Sequence, residues 1–413
     1  MLDEHYKKNL IFYLSLIGFF GIFTTTMAKN PVLPLFVKGM GGSSEIIGII
    51  SAISPLAGIL FSFPIGVMSD RIGRRKILLL SGSVFLLAPL LYLLVSDPWY
   101  LIPVRFFHGL ATAILGPVAS AAIAEAYDKN KGEKLGTYSS ATLIGRTIAP
   151  IAGGAIISAF LAQGGLFPYK AVYAVSFIAS VPAFLLCFFI RDSEVIHAEK
   201  KKATREEFRD SIRYFLGDSR LVCTALVDMA TYFAFGTFET YLPIYLSDTG
   251  FSAGVIGFIF SLQILSIALT KPLFGKLADR TDKRFQIATG LIVLGSAMLF
   301  LTFFTSELLI IAVSLLFGLG MSFSTVATSA YTGDIADRTK LGASMGALSS
   351  IMDIGHSSGP LVTGFVITWF SIRAGFITSF ALCTGVALLF LLFTVTAKEA
   401  KATFPQGTPA LKK

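Results

Sequence analysis

Along most of this chain apolar residues run in continuous blocks rather than alternating with polar ones, which argues for buried helices over half-exposed strands. Many blocks reach about 20 residues, enough for a helix rising about 1.5 Å per residue to cross the hydrocarbon of a bilayer. The pattern predicts twelve spans, near 10–37, 46–66, 76–96, 99–124, 135–162, 170–190, 221–246, 254–275, 285–305, 307–330, 341–368 and 374–396. The fold class expected is an all-α membrane protein. The first block follows MLDEHYKKNL directly, is too long for a signal-peptide core, and is followed by no small-residue cleavage site. It reads as a retained first helix.

Composition strengthens this picture. Hydrophobic residues make up 54% of the 413 and charged residues 14%, against about 25% charged in soluble domains. The net charge of +9 follows the spans and does not point to nucleic acid. With the N-terminus inside, the inner segments hold 27 of the 34 Lys and Arg, and the outer loops hold only Lys38, Lys170 and Arg373. That bias places both termini in the cytoplasm. Cys187, Cys223 and Cys383 are too scattered for a disulfide framework or a metal set, and read as core residues. The four histidines show no metal spacing, and no phosphate-binding loop is present. The expectation is a protein that is not an enzyme, with no metal and no cofactor.

The chain repeats itself. At an offset of 209 residues Pro34 meets Pro243, Gly48 meets Gly257, Gly66 meets Gly275, Asp70 meets Asp279, Arg71 meets Arg280, Gly109 meets Gly318 and Glu125 meets Asp334. At 210, Gly145 meets Gly355, Pro150 meets Pro360 and Gly154 meets Gly364. Six spans per half give the halves the same orientation, a parallel repeat about an axis along the membrane normal. The domains expected are a six-helix bundle over 1–190, a charged linker over 191–220, a second bundle over 221–397 and a tail over 398–413. EEFRDSIRYFL in the linker reads as amphipathic and suited to the inner membrane surface. The Pro, Gly and Lys content of the tail suggests disorder.

Three motifs carry a family resemblance. They are GVMSDRIGRRK at 66–76, RFFHGLATA with Arg105 and Gly109, and GRTIAPIAGG at 145–154. Together they resemble the major facilitator superfamily, and most of all its twelve-helix drug:proton antiporters. Ala149 stands where the antiporter motif has a glycine. The resemblance implies two six-helix bundles rocking about a central site in alternating access. It also links Arg105 to proton transfer, with a structural anchor as the other reading.

In the first motif Gly66 allows close helix approach. Asp70 at the membrane surface suits a bond from Arg71 or Arg74, or a helix N-terminus. The resemblance assigns that terminus to span 11. With Gly73, Arg75 and Glu125, and with the copy at Gly275, Asp279 and Arg280, the expectation is an inner latch between the halves. The alternative is that the basic residues only fix topology. Pro150, Gly145, Gly153 and Gly154, with Gly359 and Pro360 in the twin segment GHSSGPLVTG, predict two kinked, smooth helices whose packing changes between states.

Charges inside spans cost about 2.5–3.5 kcal/mol each at mid-membrane, so they mark pairs or cavities. Arg146 and its repeat partner His356 lie at similar depth. Asp353, three residues before His356, shares its face, and a histidine beside an acid suits proton coupling. Asp228 and Glu239 are eleven residues apart on one face of span 7, a candidate proton ladder, though either could instead pair with a base. Lys29 is the candidate partner of Glu239, because Asn30 is the repeat equivalent of Glu239. Lys271 reads as a residue that snorkels to the inner surface.

The site set is therefore Arg105, Asp228, Glu239, Asp353 and His356 for protons, and Lys29, Asn30, Arg146, Tyr232 and Phe235 for cargo. The function expected is proton-coupled efflux of a small lipophilic compound by a monomer in a bacterial inner (plasma) membrane. Its partners are the substrate, protons and the bilayer. An anionic metabolite or lipid-like cargo is the rival, favoured by Lys29 and Arg146, and a receptor that moves nothing is a more distant one.

Overall fold

A computed structural model describes residues 4–127, 130–191, 205–337 and 340–402. Side chains are described at all of these except 4–8, 63, 66, 67, 70, 71, 205–208, 211, 212, 342, 343 and 395–402. Predicted features at 192–204 and 403–413, and the contacts of Gly66 and of the Asp70 and Arg71 side chains, therefore lie outside the described residues.

The described chain is helical almost throughout. The first half holds α1 (Glu4–Lys29), α2 (Val32–Gly39), α3 (Ser44–Ile72), α4 (Arg74–Leu94), α5 (Leu101–Ala126), α6 (Lys131–Ala159) and α7 (Phe167–Cys187). After α8 (Arg205–Gly217) come α9 (Ser219–Asp248), α10 (Ala253–Ala278), α11 (Lys283–Phe300), α12 (Glu307–Ile335), α13 (Leu341–Trp369) and α14 (Ile372–Ala402). The predicted first span is broken in two at Pro31, whose missing N–H cannot continue the helical bonding.

Ten segments among the described residues are long and apolar enough to cross a membrane. The predicted spans at 285–305 and 341–368 are not among them. α11 has 18 residues and opens on Lys283 and Arg284. α13 has 29 residues but interleaves Ser and Gly with Asp353 and His356. Both are nonetheless integral to the bundle: α11 packs on α12 and α14, and α13 packs on α9 and α3.

One apolar core runs across both halves, joining Met27, Val32, Ile47 and Ile157 to Phe238, Tyr241, Ile256 and Ile259. Near the chain termini the halves have separate cores. Leu10, Leu14, Ile77, Ile123 and Ile190 form one, and Phe215, Leu221, Ala336 and Leu348 form the other. The bundle is thus closed at the end away from the termini and divided at the terminal end. α8 docks on the second half through Phe215, and the Asp337 amide donates to the Tyr214 hydroxyl oxygen at 2.8 Å.

Glycine makes the closed end possible. A Cβ on Gly48 would meet the Pro360 carbonyl at 2.3 Å, and one on Gly257 would meet the Pro150 carbonyl at 2.2 Å. These are repeat-equivalent contacts across the two faces where the halves meet, α3 on α13 and α10 on α6. A Cβ on Gly154 would lie 2.2 Å from the Ala253 carbonyl, and one on Gly364 would lie 2.8 Å from that of Ser44. Polar bonds seal the same end. The Tyr241 hydroxyl lies 2.9 Å from both the Ser44 and Pro360 carbonyl oxygens, Lys38 pairs with Asp248, and Thr368 donates to Glu45.

Candidate functional site

α1 ends at Lys29 just before Pro31, which leaves Lys29 and Asn30 at a helix break deep in the bundle. α9 faces that break with Glu239, which is buried. Lys29 Nζ donates to Glu239 Oε2 at 2.6 Å, and Asn30 Nδ2 donates to Oε1 at 2.6 Å. From α13, His356 Nε2 lies 2.9 Å from Glu239 Oε2 and 3.2 Å from Lys29 Nζ. Both carboxylate oxygens are therefore engaged, by one cation, one amide and one imidazole. This four-residue cluster ties the two halves together. Asn30 and Glu239 are repeat equivalents, and a residue that touches its own equivalent lies on the pseudo-twofold axis. Tyr232 and Phe235 lie beside His356, with ring centroids 6.3 and 5.4 Å from the imidazole.

Asp353 does not join His356. It is half-buried on α13 and faces α3, its Oδ2 3.8 Å from where a Cβ on Gly58 would sit. The imidazole instead reaches across to Glu239, because a salt bridge spanning the two halves already places a carboxylate there. Asp228 is buried and accepts from Thr328 Oγ1 of α12 at 2.8 Å. Eleven residues of α9, about 16 Å of helix, separate it from Glu239. The two acids thus sit in different surroundings instead of forming one connected ladder. Arg146 is exposed on α6, four residues before Pro150 and eight before Gly154, both of which face α10.

Arg105 is buried within the first half and donates to the Tyr92 hydroxyl at 3.5 Å. That hydroxyl lies 3.3 Å from His108 Nδ1, and His108 Nε2 lies 3.0 Å from Thr25 Oγ1. Tyr92 stacks on Tyr173 at 4.4 Å. His108 lies three residues, just under one helical turn, after Arg105, and the sequence reading passed over it. The signal available was its place in RFFHGLATA, on the face that carries Arg105.

At the terminal end Arg74 pairs with Glu125 at 2.7 Å and donates to Ser69. Lys283 pairs with Asp334 at 2.8 Å. The pairs are repeat equivalents, and each lies within one half. Glu125 bonds Arg74 within the first half. The two loops differ at one point. Gly73 has φ +102°, a conformation that favours glycine, and joins α3 directly to α4. Its equivalent Asp282 has φ −69° and caps α11, accepting from the Arg284 amide at 3.0 Å. Asp279 and Arg280 are exposed, and a Cβ on Gly275 would make only ordinary contact with Val326. In the packing motif, Cβ atoms on Gly145, Gly153, Gly355 and Gly359 would meet the carbonyls of Phe19, Met27, Met229 and Phe233 at 2.6, 3.2, 2.3 and 2.2 Å. α6 and α13 therefore lie tight against α1 and α9 within each half, and against α10 and α3 across the halves.

The sequence pattern of the Major Facilitator Superfamily matches residues 14–253 and 225–412, nearly the whole chain. The chain belongs to that superfamily. It is a multi-pass membrane transporter and not an enzyme. Its relatives include an uncharacterised MFS-type transporter of Methanocaldococcus jannaschii, 25% identical over 349 residues, covering 83% of this chain and 88% of that protein. The multi-drug resistance efflux pump PmrA of Streptococcus pneumoniae is 25% identical over 405 residues, covering 95% and 97%. The multidrug resistance protein MdtG of Citrobacter koseri is 26% identical over 410 residues, covering 94% and 95%. Among solved structures, the superfamily fold is shared with an inward-facing, unoccupied bacterial homologue of the human lysosomal transporter Spinster (TM-score 0.77, 15% identity, 96% of each chain). It is shared also with the nucleoside transporter NupG (TM-score 0.78, 12% identity, 94% of this chain and 99% of that one).

Proposed function

We propose that this transporter exports a small lipophilic compound in exchange for protons, by alternating access between two six-helix halves. The proposal includes twelve crossings, both termini in the cytoplasm, a monomeric unit and a bacterial plasma membrane. One observation carries it: the Lys29–Asn30–Glu239–His356 cluster closes the two halves on each other at the axis. The relatives named as multidrug efflux pumps support the direction and the cargo class.

The charge count of the cluster supplies the coupling. With Lys29 charged, Glu239 ionised and His356 neutral, the cluster is net neutral and can stay closed away from water. One added proton, on Glu239 or His356, leaves it with a positive charge that a dry interface disfavours. Protonation therefore favours separation of the halves there, and loss of the proton favours closure. Cargo must favour the opposite state from the proton, since a ligand that binds both states equally couples nothing. Asp228, Asp353 and Arg105 are further members of the proton path in this proposal. Asp70 and the loops at 66–76 and 275–284 latch the terminal end when it closes.

The test is reconstitution in liposomes with an imposed pH gradient, following internal pH while lipophilic compounds are added. Compound-dependent proton release that vanishes in Glu239→Gln is the expected result. Flux that persists unchanged in that variant overturns the coupling role, and absence of flux with every compound favours a receptor-like protein.

A further inference from the structure

The two faces where the halves meet are equivalent in backbone but opposite in charge. On one, α6 carries Arg146 and α10 carries Lys271, and both side chains are exposed. Arg146 lies four residues before Pro150 and eight before Gly154, on the stripe of α6 that faces α10, and Lys271 lies fourteen residues, about four helical turns, after Gly257, which meets Pro150. From the level at which the Ile151 amide donates to Ser261 Oγ at 3.1 Å, Arg146 lies five residues and Lys271 ten residues toward the terminal end, an axial offset of about 8 Å. Neither cation has an acid partner among the described residues. The repeat equivalents of Arg146 and Lys271 are His356 and Ser62, so the duplicated scaffold itself does not require this pair.

Two like charges brought together between membrane helices are unfavourable in a medium that screens weakly. The acids of the same space do not relieve them. Glu239 is bound by Lys29, Asn30 and His356. Asp353 stands at the other face, against Gly58 of α3. A cationic cargo would have to displace Lys29 from Glu239 or settle on Asp353 alone. An anionic group has two unpartnered donors ready, one of them a planar guanidinium suited to two-point binding of carboxylate or phosphate. Tyr232 and Phe235, beside His356, supply an aromatic wall for an apolar body.

We propose that Arg146 and Lys271 form an anion subsite, and that the cargo is an amphipathic molecule bearing one carboxylate or phosphate group on an apolar body. Because α6 and α10 belong to different halves, such a group bridges them and holds the terminal end of this face together when bound. The proposal rests on the transporter reading above for the identity of the cavity. It narrows that reading from a lipophilic compound to a lipophilic anion.

The test measures equilibrium binding to the full chain in nanodiscs of zwitterionic lipid, with four probes that share one ring: naphthoate, naphthyl phosphate, naphthylmethylammonium and naphthyl glucoside. The two anions are expected to bind at least about tenfold more tightly than the ammonium and the glucoside. Arg146→Gln and Lys271→Gln should each remove about tenfold of the anion affinity and leave glucoside binding unchanged. Arg146→Lys should keep the preference for anions, and Arg373→Gln, an exposed charge at the start of α14, should change nothing. Repeating the titration with phosphatidylglycerol in the disc separates the sources. Weaker anion binding there, absent in Arg146→Gln, marks a lipid headgroup as the occupant, and unchanged binding marks a soluble anion. Equal affinity for all four probes, tighter binding of the ammonium, or unaltered anion affinity in both Gln variants overturns the proposal. No gradient is present, so a failure of proton-driven flux leaves this result standing. Loss of the anion preference with flux intact overturns only the subsite.

Discussion

At the residue scale the decisive object is one carboxylate with three partners from two other helices. Glu239 is tolerable in the interior only because both its oxygens are bonded. Removing Lys29 leaves that charge buried with weaker support, which typically costs about 3–5 kcal/mol. Lys29→Met should therefore lower the melting temperature of the detergent-purified protein markedly. The double variant Lys29→Met with Glu239→Gln should recover most of the loss, since neither charge then remains. A double-mutant cycle measures this coupling, and additive losses would mean that the pair contributes nothing to the closed state. His108 poses the same question inside the first half, where it lies between Tyr92 and Thr25.

At the element scale, the four Gly-to-carbonyl contacts explain why α3, α6, α10 and α13 pack so closely across the halves. Gly257→Leu puts a side chain where a Cβ alone would be 2.2 Å from the Pro150 carbonyl. Overpacking of this kind costs roughly 1–3 kcal/mol when the neighbour must move, and here the penalty falls only on the closed arrangement. The expected outcome is a shift toward the state open at that end. Spin labels at Met40 and Thr249, on the tips of α2 and α9, should report a longer distance in Gly257→Leu than in the parent. The equivalent substitution Gly48→Leu should act the same way, and an unchanged distance in both would mean that these contacts do not set the closed state.

At the scale of the whole molecule, duplication gives the parts and asymmetry gives the work. Both halves keep the ion pair between the helix after the loop and the end of the next one, Arg74–Glu125 between α4 and α5 and Lys283–Asp334 between α11 and α12. Only the first keeps the glycine that joins α3 to α4 through a single residue; the second uses an aspartate cap. With the terminal end divided, each pair closes on its own half. The motif that begins at Gly66 is expected to reach the other half only in the opposite state. Asp70→Asn should then leave the amount of protein in the membrane unchanged and lower the transport rate, measured as flux per inserted molecule. A parental rate in that variant would reduce the loop to a topology signal.

The sequence alone determined the all-helical class, the membrane, the parallel repeat and the superfamily. Each rests on patterns extended over tens of residues: apolar block length, charge bias and a repeat offset held across several helices. It also pointed to Lys29 beside Glu239, because an offset of 209 makes Asn30 the equivalent of Glu239 and brings its neighbour to the axis. Only the tertiary structure decided which polar residues meet across helices. His356 turns to Glu239 and not to Asp353, Asp228 is held by Thr328 of α12, and Glu125 bonds within its own half. Helical periodicity fixes which face a residue is on, but the partner on that face comes from another helix distant in the chain. The same limit hid the like-charged pair of Arg146 and Lys271, since 125 residues separate two positions that stand on facing stripes only because α6 lies on α10.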